Sequence, residues 1–168
     1  VESISGRALN VDSDTPPGEF KPSDRSGSMN RVLLEARNQL ANLWMVDGRH
    51  DAAEVLYRRN EQLATDHGWR EEIGRAEVNQ AVLDIQRGRY EDALDVIERH
   101  LEESSVPVGV GRSKLLMNAA TCLVRLERYA EALDKYRRAL RESRRTDDNL
   151  TFGFILFNVA GSLLPRMG

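Results

Sequence analysis

Residues Arg87 to Glu98 read RGRYEDALDVIE, and the pattern recurs on either side of them. Asp47 to Tyr57 is DGRHDAAEVLY, and Leu126 to Tyr136 is LERYAEALDKY. Gly48, Gly88 and Glu127 are equivalent, as are Ala53, Ala93 and Ala132, at intervals of 40 and 39 residues. A fixed period of this length marks stacked supersecondary units rather than one globular core. Each copy carries a tight turn, then a ring or imidazole, then a small Ala suited to a close helix–helix contact.

Working outward, apolar residues at helical spacing predict an all-α chain of seven helices. They cover residues 29–46, 50–66, 70–87, 90–103, 112–126, 129–145 and 149–164, paired antiparallel by short turns. Asp47-Gly48, His67-Gly68 and Gly88 end helices, Gly being suited to a left-handed cap. Residues 104–111, with Pro107 and two Gly, read as a loop. Asp147, Asp148 and Asn149 offer a cap for the last helix, and Pro165 should end it. That helix lacks a partner. Its Asn158-Val159-Ala160 matches Asn118-Ala119-Ala120 at an interval of 40, so the unit is expected to continue as part of a longer array or, in the alternative, to end in a last helix that acts as a cap. Phe152, Phe154, Ile155, Phe157 and Leu163 leave it apolar on several sides, which would favour self-association through it.

Residues 1–28 are different. Pro16, Pro17 and Pro22 lie among Gly and Ser, and only residues 3–11 alternate in a way that would suit a strand. Such a composition buries too little apolar surface to order itself. The arm reads as a linker, as a fused sequence, or as a segment held by the helical array in cis or in trans.

Composition excludes some function classes. A net charge of −3 with 30% charged residues argues against a protein that binds nucleic acid through bulk charge. No apolar run approaches the roughly 18 residues of a membrane span. The single Cys122 leaves no intrachain disulfide and no Cys metal cluster, and a reducing, cytosolic compartment is the default. His50, His67 and His100 share no face with carboxylate or thiol at ligand spacing, so they read as solvated or capping groups, and no metal or cofactor is expected. Arg137, Arg138, Arg141, Arg144 and Arg145 read as a solvated face, the alternative being a contact for an acidic partner. No catalytic constellation is visible.

These residues resemble the tetratricopeptide repeat. Its small residue at repeat position 8, bulky residue at 11, Gly at 15, aromatic at 17, Ala at 20, aromatic at 24 and Ala at 27 are met in part by each copy. Repeat one supplies Ala41, Trp44, Gly48, Ala53 and Tyr57. Repeat two supplies Ala81, Gly88, Tyr90 and Ala93. Repeat three supplies Ala120, Leu123, Tyr129, Ala132, Tyr136 and Ala139. Position 11 of repeat two departs as Asp84, and position 27 departs as Asn60 and His100. The period near 40 is similar to the long-repeat branch found in kinesin light chain and bacterial signalling regulators. The resemblance implies a right-handed superhelical solenoid of antiparallel helix pairs, about three and a half repeats long, at residues 29–68, 69–109, 110–147 and, in part, 148–168.

It also implies a concave binding face on the first helix of each pair. Asn79, Asn118 and Asn158 all occupy repeat position 6, and an amide can both donate to and accept from a peptide backbone. A ladder of them suits an extended peptide. The alternative is that each Asn bonds a loop or the neighbouring helix. Asn42 and Lys114 match two places of the family's carboxylate clamp, but Asn38 stands where that clamp needs Lys and Asn118 where it often has Arg. A terminal carboxylate is therefore not the expected ligand. The same face should carry Met45, Val78, Val82, Ile85, Met117, Thr121, Val124, Phe154 and Phe157, with Arg125 at its edge, an apolar surface of the kind that marks a binding site. The leading expectation is a protein-interaction scaffold that holds an extended peptide, with residues 1–28 as one candidate. The competing expectation is a sensor or regulatory domain of a larger bacterial signalling or transcription-regulating protein.

Overall fold

The structure, a computed structural model, describes residues 26–102 and 110–167. Seven α-helices follow one another among these residues: α1 (Ser26–Val46), α2 (His50–Asp66), α3 (Arg70–Gln86), α4 (Tyr90–Glu102), α5 (Val110–Arg125), α6 (Tyr129–Arg145) and α7 (Asn149–Asn158). No strand occurs among the described residues. The alternating stretch at residues 3–11 and most of the loop around Pro107 lie outside them.

Each helix packs on its neighbours in the chain. Side-chain bonds also link alternate helices. Arg31 reaches Glu72 at 3.0 Å and Arg75 reaches Glu35 at 3.3 Å, both between α1 and α3, and Lys135 reaches Glu98 at 2.8 Å between α6 and α4. The result is a repeat-like, all-α array.

One turn serves every described junction. Gly48, Gly68, Gly88, Glu127 and Asp147 all have left-handed backbone, with φ of +76°, +66°, +79°, +60° and +52°. The N–H of the next residue then bonds the carbonyl five positions back: Arg49 to Trp44 at 2.8 Å, and Trp69 to Ala64, Arg89 to Asp84, Arg128 to Leu123 and Asp148 to Ser143 at 2.9 Å. This closing bond satisfies carbonyls that the helix end would otherwise orphan. The turns between pairs are thus the same as the turns within pairs. The last helix adds a side-chain cap, Asp148 Oδ1 accepting from the Thr151 N–H at 3.1 Å.

Three boundaries differ from the sequence expectation. Helix α1 begins at Ser26, so Ser26 to Ser28 belong to the helix and not to the arm. Helix α5 begins at Val110. Pro165 does not end the last helix. Regular α geometry stops at Asn158, a π turn spans Val159–Leu163, and a 3-10 turn follows at Leu164–Arg166. Pro165 sits at the start of that short turn, where its missing N–H breaks no bond.

Small residues sit where close approach requires them. Ala53, Ala93 and Ala132 are fully buried, as are Ala41, Ala81 and Ala120 at the facing position. The departures from the repeat pattern are each compensated nearby. His100, where repeat three has Ala139, is buried and faces Gly74, which leaves room for its ring; its Nε2 lies 2.7 Å from Glu77 Oε2. For His100 this corrects the expectation of a solvated or capping histidine. His67 is exposed at the C-cap of α2, as expected, and there it stacks on Trp69 and lies 3.0 Å from the Asn30 amide. Asn60, where an Ala is usual, donates to the Leu34 carbonyl and to Asn38 Oδ1, both at 3.0 Å. Asp84, where a bulky apolar residue is usual, pairs with Arg89 of the following turn.

Candidate functional site

The expected site residues lie on α1, α3, α5 and α7, the first helices of the successive pairs. The structure divides them into two groups.

The N-terminal group is tied into the fold. Asn42 Oδ1 accepts from the Tyr57 hydroxyl at 2.7 Å. Burial pushes the Tyr57 phenol up to about 12, so it stays protonated and fixes the orientation of that amide. Position 9 of repeat three repeats the device. Thr121 Oγ1 lies 3.4 Å from the Tyr136 hydroxyl and donates to the Met117 carbonyl at 3.0 Å. In repeat two the corresponding residues are Ile97 and Val82, with no hydroxyl to satisfy. Position 9 therefore answers to position 24, and the likeness of Asn42 to a ligand clamp has a structural cause.

Asn79 is engaged as well. Its Nδ2 reaches Asn38 Oδ1 at 3.4 Å, and the same oxygen accepts from Asn60. These three amides tie α1, α2 and α3 together, as the alternative reading of the Asn ladder expected for this rung. Val78 and Ile85 pack, partly buried, against the main apolar core. Met45 packs against the smaller core of the first pair, and Val82 is half-buried. Val124, expected on the open face, is buried at 3% exposure. It stands one residue after Leu123, on the side that the neighbouring helices close.

The C-terminal group is uncommitted. Among the described residues, the side chains of Asn118 and Asn158 make no hydrogen bond, and both are half-buried. They hold the same repeat position on α5 and α7, helices that touch each other. Met117 is half-buried beside Asn118, while Lys114 and Arg125 are exposed on the same helix. Phe154 and Phe157 expose 54% and 75% of their surface. Phe152, by contrast, lies under the Arg144 guanidinium at 5.0 Å. Met117 packs on the main apolar core as Val78 and Ile85 do, so what is left open is two amides, two aromatic rings and two cations. Each amide has a donor and an acceptor to offer, and the two rings leave apolar surface open.

Burial raises the Cys122 thiol to about 12. Among the described residues no group of three or more His, Cys, Asp or Glu is disposed to hold a metal ion. No helix among them is long and apolar enough to cross a membrane. The open spaces found are surface clefts: one lined by Arg49, Asp51 and Arg87, the other by Glu54, Gln80 and Arg89. Both are lined by ion pairs of the array, such as Arg87 with Glu54 at 2.7 Å, and neither touches α5 or α7.

Compared with known proteins, the chain matches no family model and no curated protein.

Proposed function

We propose that the protein is an interaction scaffold of the tetratricopeptide kind, a right-handed superhelical array that holds an extended peptide on its concave face. The observation that carries this reading is the pair of unengaged amides, Asn118 and Asn158, at one repeat position beside Phe154 and Phe157. A half-buried amide with no internal partner gains nothing for the helix that carries it. A peptide backbone would use its donor and its acceptor together. The ligand class is an extended segment with apolar side chains spaced by polar ones. Residues 1–25 fit it in composition, with Ile4, Leu9, Val11 and Phe20 separated by polar residues and Pro16, Pro17 and Pro22 favouring an extended path. The setting is a reducing, cytosolic one, in keeping with a lone buried cysteine.

The test titrates a chain starting at Ser26 with a labelled synthetic peptide of residues 1–25. Saturable binding is expected. Each amide–backbone bond contributes about 0.5–1.5 kcal/mol, so Asn118→Ala or Asn158→Ala should weaken binding about two- to tenfold. Asn79→Ala should weaken the fold before it affects the ligand. Absence of binding at millimolar peptide overturns the proposal, and so does equal loss of affinity on Asn79→Ala with the fold intact.

A further inference from the structure

The charge of the chain is divided. Residues 26–102 carry fifteen Asp and Glu against ten Lys and Arg, and residues 110–167 carry six against eleven, a net −5 and +5. Five of those eleven cations stand on the last half of α6: Arg137, Arg138, Arg141, Arg144 and Arg145. Arg141 is at their centre, and all four of its neighbours three and four residues away on the helix are arginines. Arg138 reaches Asp134 at 4.0 Å, Arg145 reaches Glu142 at 3.0 Å, and Arg144 lies over Phe152. Arg137 and Arg141 are exposed and have no partner among the described residues. Helices α5 and α7, which pack against α6, contain no carboxylate.

Neither the repeat nor the helix calls for this stripe. The positions of Arg137 and Arg141 hold Arg58 and Gln62 on α2, and Glu98 and Glu102 on α4. There the charges are matched: Arg58 pairs with Glu54 at 2.6 Å, and Glu98 pairs with Lys135 at 2.8 Å. Arg58, Gln62 and Glu102 are exposed as well, so this face is open along the array and is not one that a following helix pair closes. A helix dipole favours cations in the last turn, which accounts for Arg144 and Arg145 but not for Arg137 and Arg141. Like charges at this spacing cost a helix stability. An anion brought from outside turns that cost into attraction.

We propose that the α6 stripe docks a short acidic segment of a partner protein. From Arg137 to Arg145 it runs about 12 Å along the helix, the length of about four extended residues. Guanidinium groups take carboxylates in forked, charge-assisted pairs. An extended polyanion fits less well. A nucleic-acid duplex or an anionic bilayer runs on past so short a stripe and meets the half of the chain that carries −5. The stripe lies on the second helix of its pair, so it is distinct from the peptide site proposed on α5 and α7.

The test is the fluorescence anisotropy of labelled hexaglutamate titrated with the full chain at about 50 mM salt. Saturable binding with a Kd below about 1 mM is expected. Arg141→Glu should weaken it at least about tenfold, and so should Arg137→Glu. Arg59→Glu makes the same change of net charge on α2 and should leave binding within about twofold. Arg141→Glu should not lower the urea midpoint, because its four repulsive neighbours become attractive ones, so lost binding is not lost fold. Should that midpoint fall, Arg137→Glu decides. Absence of binding overturns the proposal, as does binding that survives Arg141→Glu in a folded chain. Equal loss on Arg59→Glu overturns it too, because bulk charge would then suffice. A thymidine hexanucleotide or phosphatidylserine vesicles held more tightly than hexaglutamate, with the same dependence on Arg141, would overturn it in favour of a nucleic acid or a membrane.

Discussion

Gly74→Ala should destabilise the protein even though it replaces the poorest ordinary helix former with the best. A Cβ at Gly74 would sit 3.2 Å from His100 Cε1 and 3.6 Å from Nδ1. The ring has little room to retreat: it is 6% exposed and holds Glu77 at 2.7 Å. Helix propensity favours the substitution by about 1 kcal/mol. Overpacking opposes it by about 1–3 kcal/mol. The net expectation is a loss of about 1 kcal/mol. Removing the ring reverses the sign. In a His100→Ala background the propensity gain remains and the clash is gone, so Gly74→Ala should stabilise by about 1 kcal/mol. The double-mutant cycle should then give a coupling of about 2 kcal/mol. Urea unfolding of the four proteins, followed by circular dichroism, measures it. If Gly74→Ala stabilised equally in both backgrounds, with a coupling under about 0.5 kcal/mol, the pairing of His100 with Gly74 would be refuted.

Three further outcomes are expected. Glu127 holds the left-handed turn conformation that Gly88 holds in the repeat before it, so Glu127→Gly should raise stability by about 0.5–1 kcal/mol and Gly88→Ala should lower it by about 1 kcal/mol, by the same urea assay. The hydrogen bond from Arg87, with further help from Arg58, holds the Glu54 carboxyl below its ordinary value despite partial desolvation. A depressed acid stabilises fully above its unfolded-state value and loses that contribution as pH falls through the folded one, so the stability difference between wild type and Glu54→Gln should vanish on acidification below the ordinary carboxylate range; a difference independent of pH would count against this pairing. Burial raises the Cys122 thiol to about 12, so at about pH 8 a thiol reagent should label the protein only as fast as it opens, and immediate labelling of the native chain would place Cys122 at the surface.

Much of the fold was legible because its determinants are local. Gly48, Gly88 and Glu127 mark the turns by spacing alone, and Ala53, Ala93 and Ala132 mark the close contacts. The boundaries that were missed depend on geometry that spacing does not carry. Ser26 to Ser28 have no apolar periodicity of their own, and the first turn of α1 extends through them as a continuation of the helix. Pro165 reads as a helix stop, yet the regular helix had already given way to a π turn at Val159. The equivalence of Gly68 and Asp147 with the other turns emerges only from the backbone geometry. Both stand where a helix ends, and both precede a residue whose N–H closes on the carbonyl five positions back.

The binding face was less legible, because an Asn at a given helical position does not reveal which group its amide serves. Asn42, Asn79, Asn118 and Asn158 look alike in sequence, and they divide only when the residues around them are considered. Asn42 has a buried tyrosine to satisfy, and a signal for that was present. Position 24 holds Tyr57, Ile97 and Tyr136, and position 9 follows it with Asn42, Val82 and Thr121. A polar residue appears at position 9 where a hydroxyl needs a partner and an apolar one where none does. Asn79 has a similar excuse in Asn60, the polar residue at position 27 of the first pair, which brings Asn38 and Asn79 into one network. Repeat three carries Ala139 at position 27 and Met117 at position 5, so nothing inside the array calls for an amide at Asn118. Asn158 lies at the same position one repeat later and is likewise unengaged among the described residues. An amide without an internal reason, repeated at the array's own period and set beside open aromatic rings, is the feature that a partner would have to explain.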